Sequence, residues 1–128
     1  SIERDILPVA KANSLAVMAY GTLIGGLLSG KYTGPRTLGT TDRRPMFYTE
    51  FKEENWPKSE KLIAAVREVA QARGVAMASV AINWALSSPY VSIALVGAKS
   101  PDQAEANAQA VSFTLTAEEI AALNKASF

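Results

Sequence analysis

Polar and apolar positions alternate in blocks along this chain, and the blocks predict a short series of elements. Ile2 to Ala12 reads as a short helix, with Asp5 as N-cap, Pro8 in the first turn where its missing N–H costs little, and Asn13 closing the helix in the left-handed conformation. Leu15 to Tyr20 is an unbroken apolar run between turn residues. Such a run, without alternation, suits a strand buried on both faces of a parallel sheet. From Gly21 to about Pro57 the pattern is irregular, and Thr33 to Pro45, with Gly34, Pro35, Gly39 and Asp42, reads as a long loop. Loops of that length are functional lids or disordered segments.

Periodicity returns at Ser59 to Arg73. Leu62, Ile63, Val66, Val69 and Ala70 recur at helical spacing and Gly74 follows as a stop. A second helix spans about Met77 to Ser87, with Val80, Ala81, Trp84 and Ala85 on one side and Pro89 beyond its end. Val91 to Val96 is a second apolar strand, leaving through Gly97-Ala98. Ser100-Pro101-Asp102-Gln103 opens another helix, to about Val111, with Ser100 as N-cap, Pro101 at the first helical position and Gln103 at the capping-box position. Thr116 and Glu119 form a second capping box ahead of Ile120, Ala121 and Leu123. Helical spacing puts Trp84 in the core; Trp56 reads equally as core or pocket. No internal repeat or low-complexity tract interrupts this order.

Alternating strands and helices imply a parallel sheet with right-handed crossovers. Only two strands are visible, and two strands do not make a stable sheet alone. The chain therefore reads as a piece of an α/β domain whose other strands lie elsewhere.

Composition narrows the chemistry. At 128 residues and 48% hydrophobic, the chain has one core and too little for two comfortable domains. Net charge is +1, from 13 basic and 12 acidic residues, so no basic nucleic-acid footprint is indicated. No apolar run is long enough to span a membrane, and no leader is visible. Cysteine is absent, which removes disulfides and thiol nucleophiles and suits the cytoplasm. Histidine is absent too, which removes imidazole metal ligands and Ser-His-Asp triads. The acids have no EF-hand spacing, so no metal site is expected. The chain opens Ser1-Ile2-Glu3 without Met, as expected of a fragment, a processed product or a trimmed chain.

Two segments could bind phosphate. Gly25 to Lys31 has the spacing of the P-loop G-x-x-x-x-G-K-[ST], but Tyr32 stands where a hydroxyl should hold Mg²⁺, and Thr33-Gly34-Pro35 cannot continue a helix. The Rossmann fingerprint is absent as well. What remains is either a tight turn of small residues or a glycine-rich loop at the carboxyl end of a parallel strand, where backbone N–H groups can cradle phosphate. The second segment, Gly97 to Asn107, is a strand exit leading into a capped helix with Lys99 at its mouth. Read alone, it is equally a capped helix and an anion site.

Taken together, "AYGTLIGGLLSGKY", the helix pair, "ALVGAKSPDQAEANAQA" and "LTAEEIAALN" resemble the C-terminal part of an aldo-keto reductase, and "IERDILPVAKANSLAVMAY" fits that family's sixth helix and seventh strand. The resemblance covers residues 1–128 as one partial domain, loosest over Thr33 to Pro57. It implies an α/β fold, the C-terminal half of a (β/α)₈ TIM barrel, in which the two strands are the seventh and eighth. A full barrel needs about 250 residues, so the missing strands would lie upstream of Ser1.

The resemblance implies NADP(H) as cofactor and a parent enzyme that reduces small aldehydes or ketones by hydride transfer. By it, Gly21, Thr22, Leu23 and Gly25 surround the ribose and pyrophosphate, Tyr20 stacks on the nicotinamide, and Lys31 reaches the pyrophosphate. Arg43 or Arg44 is the lid-loop arginine. Gly97, Lys99 and Ser100 surround the 2′-phosphate, Gln103 meets the adenosine phosphate and Asn107 the adenine. Ala106 departs from the pattern, which has Glu there. The family's Asp, Tyr, Lys and His catalytic set has no counterpart: His is absent, and Asp42 is followed five residues later by Phe47 rather than Tyr. The 128-residue chain is thus expected to be inactive alone, and to need the missing half-barrel or to self-associate through exposed barrel edges. The alternative is a non-catalytic nucleotide-binding or assembly module that pairs through the same apolar edges.

Overall fold

The computed structural model describes residues 2–35, 38–39 and 41–128. Its strongest element is helix α4, Trp56–Arg73, which buries Leu62, Ile63, Val66, Val69 and Ala70 along one face. It starts three residues earlier than periodicity predicts, because Pro57 is tolerated in a first turn and Ser59 is buried there, donating its hydroxyl to the Glu50 carbonyl at 2.7 Å. It stops at Gly74, whose φ of 65° lets the chain turn back while Val75 N–H donates to the Ala70 carbonyl. Helix α5, Met77–Leu86, then packs against α4. Helix α7, Ala117–Ala126, completes the layer from the predicted Thr116/Glu119 capping box. Leu62, Val66, Val80 and Leu123 meet in one fully buried cluster, with Leu28 and Leu115 beside them. A second, smaller cluster joins Leu27, Phe51 and Ile63, with Trp56 against it, so Trp56 is core. Trp84 packs on the first cluster and its Nε1 donates to Asn124 Oδ1 at 2.8 Å.

The predicted N-terminal helix is two: α1, Ile2–Asp5, and α2, Leu7–Ala12. Ile6, not Asp5, precedes the second, and no side chain caps it; Pro8 lies in its first turn as expected. Asn13 does not take the left-handed conformation. Its backbone N–H and its Nδ2 both donate to the Val9 carbonyl, which keeps its φ at −101°, so the turn passes to Ser14 at φ 54°.

The two strands pair in parallel, β1 (Met18–Ala19) with β2 (Ile93–Ala94), in the register Met18 to Ile93 and Ala19 to Ala94. Each is shorter than its apolar run. Among the described residues these two strands pair only with each other. The expected burial on both faces is likewise not found: Leu15 is 62% and Met18 60% exposed. Helix α5 packs against β2, and α6, Pro101–Ala108, follows β2 and tightens into a narrower turn over Gln109–Val111. Within the expected long loop, Arg36, Thr37 and Thr40 lie outside the described residues; its end folds as the short helix α3, Arg44–Phe47. No helix among the described residues is long and apolar enough to cross a membrane.

Candidate functional site

Beyond Ala19 and beyond Ala94 the chain leaves the sheet on the same side, because the strands are parallel. The two exits enclose a cleft of about 680 Å³. Its near wall is the loop after β1. Thr22 Oγ1 lies 3.2 Å from the Ala19 carbonyl and 3.3 Å from that of Leu95, tying the two exits together at the floor. Past Leu23 come three successive left-handed residues, Ile24 at φ 48°, Gly25 at 58° and Gly26 at 95°. The N–H groups of Thr22, Leu23 and Gly25 find no acceptor among the described residues, whereas those of Ile24 and Gly26 turn back to the Gly21 and Leu23 carbonyls. A half-buried loop with unanswered donors is a cradle for acceptor oxygens.

The far wall is the exit of β2 and the start of α6. Ser100 Oγ accepts from Gln103 N–H at 3.3 Å, as predicted for the cap. Gln103 Oε1 reaches one residue further than a capping box, to Lys99 N–H at 2.8 Å. Asn107 Nδ2 donates to the Gly97 carbonyl at 3.3 Å. The loop 97–100 is thereby pinned to its helix, leaving Gln103 Nε2 and Asn107 Oδ1 for a ligand. A Cβ at Gly97 would meet nothing within 4 Å.

Eleven of the twelve expected site residues line this one cleft. On the near side are Tyr20, Gly21, Thr22, Leu23, Gly25, Lys31 and Arg44; opposite are Gly97, Lys99, Gln103 and Asn107. Ser100 does not line it, its hydroxyl being spent on the cap. Between the two arginines, the wall contains Arg44, while Arg43 is exposed outside it. Tyr32 and Tyr48 also line the cleft, and sequence reasoning missed both. Tyr32 carries a readable signal, since it occupies the failed P-loop position. Tyr48 carries none.

Lys31 and Lys99 form no ion pair among the described residues, and no carboxylate lines the cleft. Arg44 differs. Its Nε lies 2.9 Å from both Asp42 carboxylate oxygens, Nη2 also donates to Asp42, and Nη1 donates to the Gly25 carbonyl at 3.0 Å and to the Tyr32 hydroxyl. The guanidinium and the Arg44 N–H together hold the Asp42 carboxyl down at about 2. The same bonds push the Arg44 pKa up. A folded-state pKa below the unfolded one means stability that is present above about 4 and lost as pH falls towards 2. Carboxyl NMR shifts are expected to show Asp42 titrating near pH 2 and, in Arg44→Met, moving up towards the ordinary carboxylate range but short of it, because the backbone N–H of position 44 still donates to the carboxyl. The Glu119 carboxyl, held low by Arg73 on the other face, is expected not to move in that variant.

A cationic cleft at the carboxyl ends of parallel strands defines an α/β protein of the class that binds its ligands where strands end. The model of the aldo/keto reductase family matches residues 1–127, and the chain belongs to that family. It is 34% identical over 125 residues to the aldo-keto reductase YhdN of Bacillus subtilis, covering 92% of this chain and 36% of that protein. It is 37% identical over 123 residues to the uncharacterized oxidoreductase Rv2298 of Mycobacterium tuberculosis, covering 95% of this chain and 36% of that protein. The glycerol dehydrogenase AKR11B4 of Gluconobacter oxydans superposes with a TM-score of 0.83 at 33% identity, over 98% of this chain and 38% of that structure. The chain thus spans little more than a third of the relatives it matches, and its α/β fold is that of part of their barrel.

Proposed function

We propose that this chain is the cofactor-holding C-terminal part of an NADP(H)-dependent carbonyl reductase, in which β1 and β2 are the seventh and eighth barrel strands. The observation that carries this reading is the cleft itself: orphan N–H groups on one wall, Lys31 and Lys99 on opposite sides, and no carboxylate between them. The donors fit a dinucleotide. Thr22, Leu23 and Gly25 would meet the pyrophosphate oxygens and Lys31 would neutralise them. Lys99 at the start of α6 would meet the 2′-phosphate, which is the reason to favour NADP over NAD. Asn107 Oδ1 suits the adenine amino group, and Tyr20, 85% exposed at the mouth, offers a flat face to the nicotinamide ring.

The bound nicotinamide would supply the hydride; these residues bind and orient it. The proton donor for a small aldehyde or ketone, and the residues that tune it, would come from the rest of the barrel in a parent enzyme of the cytoplasm. The chain alone is therefore expected to bind NADPH and to turn over no aldehyde. A second reading, a non-catalytic module that pairs with itself or a partner, draws on the exposed apolar edge of Leu15, Met18, Ile93 and Leu95.

Titration of the 128-residue chain with NADPH and NADH, followed by nucleotide fluorescence, tests the proposal. Lys99→Met is expected to weaken NADPH about tenfold, roughly 1.4 kcal/mol, and to leave NADH unchanged. Equal loss for both nucleotides would remove the 2′-phosphate role, no binding of either would sink the cofactor site, and turnover of butanal with NADPH would sink the division of labour. Sedimentation of the nucleotide-free chain as a monomer would remove the second reading.

A further inference from the structure

We infer that Arg44 is a latch that positions the left-handed turn Ile24–Gly26, and not itself a ligand for phosphate. This rests on the cofactor site proposed above. A guanidinium has five N–H donors. Four are committed within the protein, to Asp42 through Nε and Nη2 and to the Gly25 carbonyl and the Tyr32 hydroxyl through Nη1. Its charge is matched by Asp42, two residues away, and its Cζ lies 4.7 Å from the Tyr32 ring centre and 5.5 Å from that of Phe51. A cation so engaged has little left to offer an anion.

What it does hold is unusual backbone. A β-branched residue at positive φ persists only where its surroundings over-determine it, and Ile24 has φ 48°. Three contacts do this from three sides. The Ile24 side chain packs on both hydrophobic clusters. The Tyr48 ring lies against Gly21 and Gly25, and a Cβ at Gly25 would press on it at 2.9 Å. Arg44 Nη1 fixes the Gly25 carbonyl, and through Asp42 and the start of α3 it joins that carbonyl to the segment Asp42–Tyr48. The segment is a strap across the turn, and Arg44 is its fastening. The turn in its held form keeps the Thr22, Leu23 and Gly25 N–H groups without acceptors among the described residues.

Latch and ligand make opposite predictions for Asp42→Asn. Were Arg44 a phosphate ligand, removing the carboxylate would free its charge and tighten NADPH binding. As a latch it loses its anchor, and binding weakens. On the chain itself, NADPH titrations at several salt concentrations are expected to give about a tenfold loss in both Asp42→Asn and Arg44→Met, with the double variant no worse than the worse single one. The salt slope is expected to stay at its wild-type value, since no phosphate contact is removed. Arg44→Lys is expected not to rescue, because one ammonium cannot reach three acceptors. Amide exchange on the nucleotide-free chain reads the latch independently. Gly26 and Leu28, which both donate to the Leu23 carbonyl, are expected to exchange about tenfold faster in both variants, and by less in Tyr32→Phe, which removes one acceptor and keeps the ring. Failure of wild type to bind NADPH, with the exchange effects intact, would overturn the cofactor site and leave the latch standing. Tighter binding in Asp42→Asn, a reduced salt slope in Arg44→Met, or unchanged exchange would overturn the latch.

Discussion

Valine at position 25 is expected to abolish NADPH binding and to cost about 2–4 kcal/mol of folding stability. Two independent penalties meet there. Gly25 has φ 58°, a conformation that costs an L-residue about 1–2 kcal/mol and a β-branched one more. A Cβ on it would also stand 2.9 Å from two carbons of the Tyr48 ring and 3.2 Å from Arg44 Cδ. A ring held among its neighbours yields less readily than a side-chain tip, so the displacement passes to the strap and to the cleft wall. Urea unfolding gives the stability and nucleotide fluorescence the binding. Gly39→Ala is the comparison, since a Cβ there meets nothing within 4 Å. Wild-type unfolding and wild-type affinity in Gly25→Val would mean that Tyr48 does not lie on this turn.

The second large effect is predicted far from any ligand. Asn83 sits on α5, half-buried, and its Nδ2 donates to the Ala110 carbonyl at 2.8 Å and to the Phe113 carbonyl at 2.6 Å. Both amide hydrogens are used. Asn83→Leu keeps the size of the side chain and removes both donors, leaving acceptors around the buried Ala110 unanswered. An unsatisfied buried group costs about 1–3 kcal/mol, so a loss of about 2–4 kcal/mol is expected for the pair. One turn earlier on α5, the Ser79 hydroxyl donates to the Ala106 carbonyl at 2.6 Å. The Ser79 bond ties α6 itself to α5 and the Asn83 bonds tie down the turn and the segment that follow α6, and α6 carries Gln103 and Asn107 into the cleft. The stability loss is therefore expected to come with weaker NADPH binding. A melting temperature and an affinity within error of wild type would refute the role.

The helices were legible because their signals are local. Apolar spacing marked α4 and α5, and Ser100 and Thr116 announced α6 and α7 through caps whose atoms the structure brings together. The strands were legible in position but not in extent or burial, since pairing depends on neighbours that no local window contains. The turn at Ser14 depended on both Asn13 donors reaching the Val9 carbonyl, a local competition that propensity does not rank. The two glycine-bearing strand exits left turn, cap and anion site open, and it was the family resemblance that named the residues, eleven of which line the cleft. The roof of the cleft was not legible. Tyr48 lies on Gly21 and Gly25 from a segment with no period, and the choice of Arg44 over Arg43 turned on Asp42. The Tyr32 position, read against a P-loop, holds the hydroxyl that accepts from Arg44 in place of one for Mg²⁺.

The parallel pairing has one more consequence. Val17 and Ser92, which meet at the start of the strand pair, are 75 positions apart. The entropy of closing so long a crossover rises only with the logarithm of its length, so ten further residues in it would add about 0.1 kcal/mol. Chain length therefore places almost no limit on the connection between β1 and α4. That stretch can change in length only between its fixed points, since Leu27, Leu28 and Phe51 must still reach the core and Arg44 and Tyr48 must still arrive at Gly25.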